Sequence, residues 1–192
     1  SQELFIVQEK MKNEVVKALL QKYHGTVLVF TRTKMKASRV TRNIREMGAK
    51  VSEIHSDRSM SQRNQAMEGF KRGRYRVLVA TDIAARGLDI PLLPHVVNFE
   101  LPNIPEDYVH RIGRTGRAGA SGEAISLFSP DETVFLRDIE KLVGLKLPKE
   151  NIAGFEPDPN ASTEPIKQGQ GRPQRFSNPA KSNSANSNRS AN

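Results

Sequence analysis

Short apolar runs alternate along the chain with longer segments in which apolar residues recur every three or four positions. The runs lie at 3–8, 26–31, 50–54, 76–80, 95–99 and 122–128. Several are apolar almost throughout, as in Val27-Leu28-Val29-Phe30, and this pattern is typical of strands that are covered on both faces. The runs therefore predict the strands of a buried sheet.

The segments between these runs predict helices. Apolar side chains at helical spacing form one stripe within 11–23 and another within 40–47. Capping boxes, in which a serine is followed three residues later by Gln or Glu, predict two further helices at about 60–72 and 130–143. Strands that alternate with helices over short connections predict an α/β domain with a mainly parallel sheet.

The composition narrows the class of protein. The 192 residues are enough for one compact domain and a remainder. Thirty Lys and Arg against 21 Asp and Glu give a net charge of +9, which favours a polyanionic partner such as nucleic acid. Cysteine is absent and the four histidines are scattered, so neither a disulfide nor a protein-held metal site is expected. No apolar run approaches the ~18 residues of a membrane span, and we expect a cytoplasmic protein without a membrane partner.

The composition changes near residue 150. Residues 1–148 carry nearly all of the periodic apolar pattern, and we assign them to one domain. From Pro165 to Asn192 there are five basic residues, no acidic ones, and mainly Asn, Ser, Gln, Gly and Pro. Such a sequence cannot bury enough apolar surface to offset its ordering entropy, so 149–192 is expected to be a disordered tail. The tail is either a basic arm that strengthens binding to phosphate backbones or an inert solubilising segment.

Four clusters of polar residues follow the predicted strands. Three of them, at 31–34, 55–58 and 81–89, come directly after a strand, and the fourth, at 110–117, closes the helix that follows Asn98–Leu101. In open parallel sheets the loops at the carboxyl ends of the strands carry the functional site. We therefore expect these clusters to contain the functional residues.

The segment from His110 to Arg117 is the most informative of the four. Its three arginines are spaced three residues apart with two glycines between them, which places guanidinium groups on one side of a helix end and the following turn. Arginine offers a permanent charge and a planar fork that fits phosphate oxygens. Such a cluster can hold a nucleic-acid phosphate statically or stabilise charge on a transferring phosphoryl group. The residues alone leave both roles open.

Three segments follow one another in a characteristic order. Residues 27–33 read VLVFTRT, residues 80–90 read ATDIAARGLDI, and residues 110–117 read HRIGRTGR. In this order and spacing they resemble motifs IV, V and VI of the second RecA-like lobe of DEAD-box RNA helicases, in superfamily 2. The resemblance covers about residues 1–148 and implies a RecA-like, three-layer α/β fold. The sequence around 93–109 is most similar to the bacterial RhlE-type branch.

The resemblance implies catalytic roles for three residues of the last segment. Arg114 and Arg117 match arginine fingers that reach across a cleft between two lobes toward the γ-phosphate of ATP bound on the first lobe. His110 matches a residue that contacts the first lobe and couples the nucleotide site to RNA. Guanidinium groups suit the first role because they neutralise the charge that develops on oxygen atoms during phosphoryl transfer.

The resemblance also implies binding sites for the nucleotide and for RNA. Asp89 matches a residue that bonds the ribose of ATP, and Arg86 with Gly87 matches the segment that supports the nucleotide site. The matching RNA contacts are Thr33, Arg63 and Thr81. Because such contacts go to the sugar-phosphate backbone, they should not depend on the base sequence.

Two positions depart from the family pattern. Ser56 stands where the family commonly has glycine, so the approach of this loop to RNA is expected to differ. Met60 stands at the glutamine of the family's Gln-x-x-Arg element, whose arginine is kept as Arg63. Two further residues have structural interpretations beside the functional ones. Thr33 could act only as a helix N-cap, and Arg111 could act as an ion-pair partner.

Two motifs of the family's first lobe do not occur in the sequence. There is no Gly-x-x-x-x-Gly-Lys-Ser/Thr phosphate loop, and the single Asp-Glu pair, Asp131-Glu132, is not followed by Ala-Asp. The Mg²⁺ site and the carboxylate that orients the attacking water belong to that lobe. We therefore expect the chain to be part of a helicase that uses ATP and Mg²⁺, and to be inactive alone.

The resemblance suggests the partners of the chain. These are RNA, the N-terminal RecA-like lobe of the same enzyme, and complexes for RNA processing, ribosome assembly or RNA degradation. A stand-alone RNA-binding or scaffolding module without nucleotide chemistry is the alternative from a different functional class. A related superfamily-2 lobe that acts on DNA is a third, and the sequence from 80 to 117 favours RNA.

Overall fold

The computed structural model describes residues 1–116, 121–160 and 163–165. Within these residues the strands are β1 (Gln2–Ile6), β2 (Val27–Thr31), β3 (Val51–Ile54), β4 (Val77–Thr81), β5 (His95–Asn98), β6 (Glu123–Phe128) and β7 (Lys149–Asn151). They form one described sheet in the order β3-β4-β2-β5-β6-β1-β7, and every neighbouring pair is parallel. The predicted α/β fold with a mainly parallel sheet is confirmed.

The described α-helices alternate with the strands, and short 3-10 helices at Glu9–Met11 and Pro130–Glu132 precede the first and the last of them. The α-helices are α1 (Lys12–Lys22), α2 (Lys34–Glu46), α3 (Met60–Lys71), α4 (Asp82–Ala85), α5 (Pro105–Ile112) and α6 (Thr133–Val143). The capping box that opens α3 is confirmed, since the Gln62 N–H donates to Ser59 Oγ at 3.1 Å and the Ser59 N–H donates to Gln62 Oε1 at 2.9 Å. None of these helices is long and apolar enough to cross a membrane.

The continuous apolar runs are explained by a sheet that is covered on both faces. Val27 and Val29 pack with α1 and α2 on one face, while Leu28 and Phe30 pack with α3 on the other. A third cluster joins α5 and α6 to the ends of β1 and β6. Successive side chains of a strand point to opposite faces, so a strand with helices on both sides must be apolar at every position.

The fold continues beyond the domain boundary predicted at residue 148. β7 pairs in parallel with β1, and Ile152 and Phe155 pack against the core. The three residues of β7 are polar and exposed, so the strand is held by backbone pairing and has no apolar alternation that could have predicted it. The predicted start of the tail is therefore too early. Its residues 166–192 lie outside the described residues.

Glu140 fixes the loop between α6 and β7. Its carboxylate accepts a hydrogen bond from Lys146 Nζ at 2.9 Å and another from the backbone N–H of Leu147 at 3.0 Å. The hydrogen bond from Lys146 is the main reason why the pKa of Glu140 is lowered from the ordinary value of 4.5.

We expect the free energy of unfolding to decrease as the pH falls below the ordinary pKa of glutamate. The folded chain keeps Glu140 ionised at pH values at which the unfolded chain has bound a proton. Its contribution is therefore complete above 4.5 and is lost as the pH falls through the lower, folded-state pKa. In urea unfolding at successive pH values, Glu140→Gln should show a shallower decline between about pH 5 and pH 2 than the unchanged chain. Parallel curves for the two proteins would contradict this role.

Four charged side chains form a buried ionic cluster at the carboxyl ends of the central strands. Lys12 Nζ lies 3.0 Å from Glu132 Oε2, and Arg32 Nη1 lies 2.6 Å from Glu132 Oε1. Arg32 Nη2 also lies 2.9 Å from Glu100 Oε2. The side chains of Lys12 and Glu132 are both 0% exposed. Glu132, the last residue of the second predicted capping box, thereby connects three parts of the chain.

Candidate active site

A pocket of about 270 Å³ lies beside α4 and α5, at the carboxyl ends of β2 and β4. It brings together residues from two of the predicted clusters, including Arg86, Gly87, His110, Arg111 and Arg114, with Asp107 from between them. The loops meet here because the carboxyl ends of parallel strands lie at one edge of a sheet. Four of the predicted site residues therefore share one pocket.

Arg111 attaches α5 to the sheet. Its Nε and Nη2 donate to the two carboxylate oxygens of Asp82, at 2.7 and 2.6 Å, and its Nη1 donates to the Glu100 carbonyl at 2.7 Å. The guanidinium carbon lies 5.0 Å from the ring centroid of Phe30, and the Arg111 side chain is 1% exposed. A guanidinium so enclosed and so fully paired has a structural role, which confirms the ion-pair interpretation of Arg111.

A second carboxylate, that of Asp107, binds Arg86 and lies near His110. Arg86 Nη2 donates to Asp107 Oδ1 at 3.0 Å, and this hydrogen bond raises the pKa of Arg86. His110 Nδ1 lies 3.9 Å from the same oxygen. Asp107 is buried, whereas Arg86 and His110 are exposed on the wall of the pocket.

Arg114 differs from the other two arginines of the pocket, because no side chain among the described residues pairs with its guanidinium. Its backbone is nevertheless fixed. The Leu93 N–H donates to the Arg114 carbonyl at 2.9 Å, and Thr115 Oγ1 donates to the Leu93 carbonyl at 2.6 Å. A Cβ at Gly122 would lie 2.0 Å from Thr115 Oγ1, so this close approach requires glycine. The turn therefore holds an unpaired, half-buried guanidinium at the pocket wall.

The charge available to a ligand in this pocket comes mainly from Arg114. The charge of Arg111 is compensated by Asp82 and that of Arg86 by Asp107, whereas no carboxylate among the described residues compensates Arg114. An unpaired guanidinium in a partly enclosed pocket attracts anions, and its planar fork matches phosphate oxygens. The pocket is suited to a phosphate group that is presented from outside the chain.

Known proteins resemble this chain over most of its length. The family described as the helicase conserved C-terminal domain matches residues 11–119. The structure of the E. coli DEAD-box protein SrmB, bound to RraA, has a TM-score of 0.75 and 32% sequence identity, and the match covers 85% of this chain and 96% of that chain. The chain belongs to the DEAD-box helicase C-terminal domain family.

Other relatives of this DEAD-box domain support the same family assignment. The ATP-dependent rRNA helicase RRP3 of Vanderwaltozyma polyspora is 43% identical over 152 residues, which are 79% of this chain and 30% of that protein. The structure of the C-terminal domain of the DEAD-box protein Dbp5 has a TM-score of 0.71 at 32% identity, covering 79% of this chain and 89% of that chain. The chain thus spans about 30% of the length of the RRP3 relatives.

The three predicted RNA contacts of this DEAD-box domain lie outside the pocket, at the carboxyl ends of three adjacent strands. Thr81 is the last residue of β4 and is buried. Thr33 follows β2, and its Oγ1 accepts a hydrogen bond from the Lys36 N–H at 3.2 Å, which makes Thr33 the N-cap of α2. Arg63, in the first turn of α3, is half-buried, and its Nε has no hydrogen-bond partner among the described residues.

Both departures from the family pattern lie at this same edge of the sheet. Ser56 is exposed in the loop after β3, and Met60 is the first residue of α3 with 53% of its surface exposed. A glutamine at position 60 would offer an amide donor and acceptor, whereas the methionine thioether is only a weak acceptor. The edge therefore lacks one hydrogen-bonding group that the family pattern provides.

One further predicted site residue, Asp89, is not among those that line the pocket. The Asp89 side chain is 96% exposed, and its carboxylate lies 3.3 Å from Lys71 Nζ. Gly87, two positions before Asp89, does line the pocket, and its φ of 76° is one that glycine adopts without strain. Arg117, the second predicted arginine finger, lies outside the described residues.

The acidic residues that organise the pocket were not identified from the sequence. Neither Asp82 nor Asp107 is among the site residues that the sequence predicts. Their arginine partners stand 29 and 21 positions away, so no local spacing reveals either ion pair. The available signal was indirect, because two aspartates next to the arginine-rich motifs must either be solvated or be paired with those arginines.

The carboxylates that line the pocket do not fit a Mg²⁺ site. Mg²⁺ requires carboxylate or phosphate oxygens that are free to coordinate it. Both oxygens of Asp82 accept hydrogen bonds from Arg111, and Asp107 is engaged by Arg86. A Mg²⁺ ion that accompanied a nucleotide here would need ligands from outside this pocket.

Proposed function

We propose that this chain is the C-terminal lobe of an ATP-dependent RNA helicase and that Arg114 is an arginine finger for ATP bound on the N-terminal lobe. The unpaired guanidinium of Arg114 is the observation that carries the proposal, because Arg86 and Arg111 both have carboxylate partners. A lobe docked over the pocket would exclude water and bring the γ-phosphate to this charge. In such a site a positioned guanidinium stabilises the transferring phosphoryl group far better than it would in water.

The other predicted residues have supporting roles in this proposal. Arg117 is a second arginine finger, and the exposed His110 contacts the docked lobe and couples the nucleotide site to RNA. Asp89, which is open to solvent, binds the ribose hydroxyls of ATP. Arg86 supports the nucleotide site from the position that Asp107 gives it, and Gly87 allows the backbone beside it to approach the nucleotide.

RNA binds, in this proposal, at the edge that carries Thr33, Arg63 and Thr81. Hydroxyl and guanidinium groups suit phosphate oxygens, so binding does not depend on the base sequence. ATP binding closes the two lobes on a bent single strand that no longer fits a duplex, which unwinds the duplex locally. Hydrolysis and phosphate loss then release the strand.

The branch of the family, the location in the cell and the partner complexes are part of the same proposal. The sequence around 93–109 supports the bacterial RhlE-type branch, while the RRP3 relative is a yeast protein. We place the protein in the cytoplasm, within RNA-processing, ribosome-assembly or RNA-degradation complexes. Structures of relatives that contain a bound protein, SrmB with RraA and Dbp5 with Gle1, support a protein partner.

The 192-residue chain alone should hydrolyse ATP no faster than background, with or without RNA. On the same polypeptide as a DEAD-box N-terminal lobe, it should show hydrolysis that RNA stimulates and DNA does not. Phosphate release measured in both proteins tests this expectation. Robust turnover by the chain alone would contradict the proposal. A two-lobed protein that binds RNA but does not hydrolyse ATP would instead favour the stand-alone scaffolding module.

A further inference from the structure

A second groove follows the outer edge of the described sheet. β3 is the last strand on this side, so one edge of its backbone has no neighbouring strand among the described residues. A groove of about 630 Å³ lies along β3, between the end of α2 and the outer face of α3. Four arginines line it: Arg45, Arg58, Arg72 and Arg74.

Two of these arginines have no carboxylate partner among the described residues, so their charge is available to a ligand. Arg58 pairs with Glu53, and Arg72 Nε donates to Glu68 Oε1 at 2.7 Å. Arg45 and Arg74 are exposed, and neither side chain has a polar partner within the described residues. The groove therefore carries two positive charges that the described side chains do not compensate.

The position of Arg74 is set by close packing of its loop on α3. The backbone N–H groups of Arg74 and Tyr75 both donate to the Gly69 carbonyl, at 2.8 and 3.3 Å. A Cβ at position 69 would lie 2.6 Å from the Tyr75 ring and 3.7 Å from Arg74 Cδ. Because Gly69 has no side chain, the Tyr75 ring lies on the helix and Arg74 is held at the groove wall.

One end of the groove reaches the edge of the sheet that carries the proposed RNA contacts. Arg58 lies in the loop after β3, and Gln62 lies next to Arg63 in the first turn of α3. From there the groove extends along the four residues of β3, a distance of roughly 13 Å at ~3.3 Å per residue. Arg45, in the last turn of α2, and Arg74, in the loop after α3, lie at the far end of that path.

The lining of the groove suits a nucleic-acid backbone better than a protein partner. Protein interfaces depend on large apolar or aromatic anchors that become buried at their centre. None of the large, exposed apolar side chains of the described structure lines this groove. Interfaces with nucleic acid are more polar, more positively charged and wetter, which agrees with the arginine, glutamine and serine side chains found here. The two glutamates of the lining are paired with Arg58 and Arg72, and the Tyr75 ring packs on α3.

We propose that this groove extends the RNA-binding surface, with Arg45 and Arg74 binding phosphates of a single strand that continues past Arg63. This assignment rests on the RNA-binding function proposed above. The groove adds affinity for longer RNA without base specificity, because guanidinium groups contact phosphates. The strand would run from the carboxyl edge of the sheet, around β3, toward the loop that follows α3.

The double variant Arg45→Gln/Arg74→Gln tests the groove in the 192-residue chain. Fluorescence anisotropy at several salt concentrations would use single-stranded RNA of about 5 and about 20 nucleotides, the second being longer than the roughly 4–16 nucleotides that single-strand-binding domains cover. For the longer RNA we expect the salt dependence of log K to become shallower by about 1.4, which corresponds to two phosphate contacts of ~0.7 each. Binding of the shorter RNA should not change.

A matched control is Arg137→Gln/Lys141→Gln, which removes the same charge from the exposed face of α6. This control should leave the binding of both RNAs unchanged, and an equal loss in the two double variants would overturn the groove assignment. Unchanged binding of the longer RNA by Arg45→Gln/Arg74→Gln would also overturn it. The ligand of the groove would then be an acidic protein segment. If the unchanged chain binds neither RNA, the RNA-binding function itself fails. Arg63→Gln separates the two sites, because it should weaken the binding of both RNAs.

Discussion

Replacing Arg114 by alanine in the two-lobed protein should lower RNA-stimulated ATP hydrolysis by at least about a thousandfold, the lower end of the range for arginine fingers. A loss of that size corresponds to roughly 4 kcal/mol of transition-state stabilisation. The effect is expected to be large because Arg86 and Arg111 already have carboxylate partners and cannot take over. Phosphate release at saturating ATP and RNA measures the rate.

RNA binding and stability should both be nearly unchanged in Arg114→Ala, since the side chain pairs with no described residue and lies outside the edge that carries Thr33 and Arg63. Arg111→Ala is the matched control. It should lower the free energy of unfolding, because it leaves Asp82 without its ion pair. If Arg114→Ala reduced RNA binding as much as hydrolysis, Arg114 would be a static phosphate contact rather than a finger.

Replacing Glu132 by alanine should lower the free energy of unfolding by about 3–5 kcal/mol, the usual cost of breaking a buried ion pair by removing one partner. The change removes the buried one of the two carboxylates that hold the fully buried Lys12 Nζ, and leaves only the partly exposed Glu9 at 3.2 Å. It also removes one of the two carboxylates that hold Arg32. Equilibrium urea unfolding of the 192-residue chain at neutral pH measures the loss.

Two further variants distinguish the buried charge from other effects at this site. Asp131→Ala, one position earlier and partly exposed, should change the free energy of unfolding by no more than about 0.5 kcal/mol. In Lys12→Met/Glu132→Leu, both partners become apolar, and the loss should be much smaller than the sum of the single changes. Additive losses would show that the two charges do not depend on each other.

The buried ionic cluster also limits what the first motif can do. Arg32, the arginine of the segment 27–33, is engaged by both Glu100 and Glu132 and also donates to the Leu101 carbonyl at 2.7 Å. Its guanidinium is therefore committed to the fold. Thr33, the next residue along the chain, is the exposed residue of this segment, and the RNA site proposed above uses it.

Local sequence patterns were enough to predict six of the seven described strands, most of the helices and the edge of the sheet where the candidate site lies. Strand faces and helix stripes depend on the spacing of neighbouring residues, and the capping box that opens α3 uses side chains three positions apart. The order of the three motifs also led to the family, which the comparisons confirmed. All of this information lies within short stretches of the chain.

Only the tertiary structure decided which charged side chains are free to act. The spacing of the arginines alone presents Arg111 and Arg114 as equivalent, yet Arg111 pairs with Asp82 while Arg114 has no partner among the described residues. The strand β7 likewise depends on backbone pairing with β1, at the other end of the domain. In each case the deciding partner lies far away in the sequence. Ion pairs and strand pairing act through distance in space, and that distance is set only when the chain has folded.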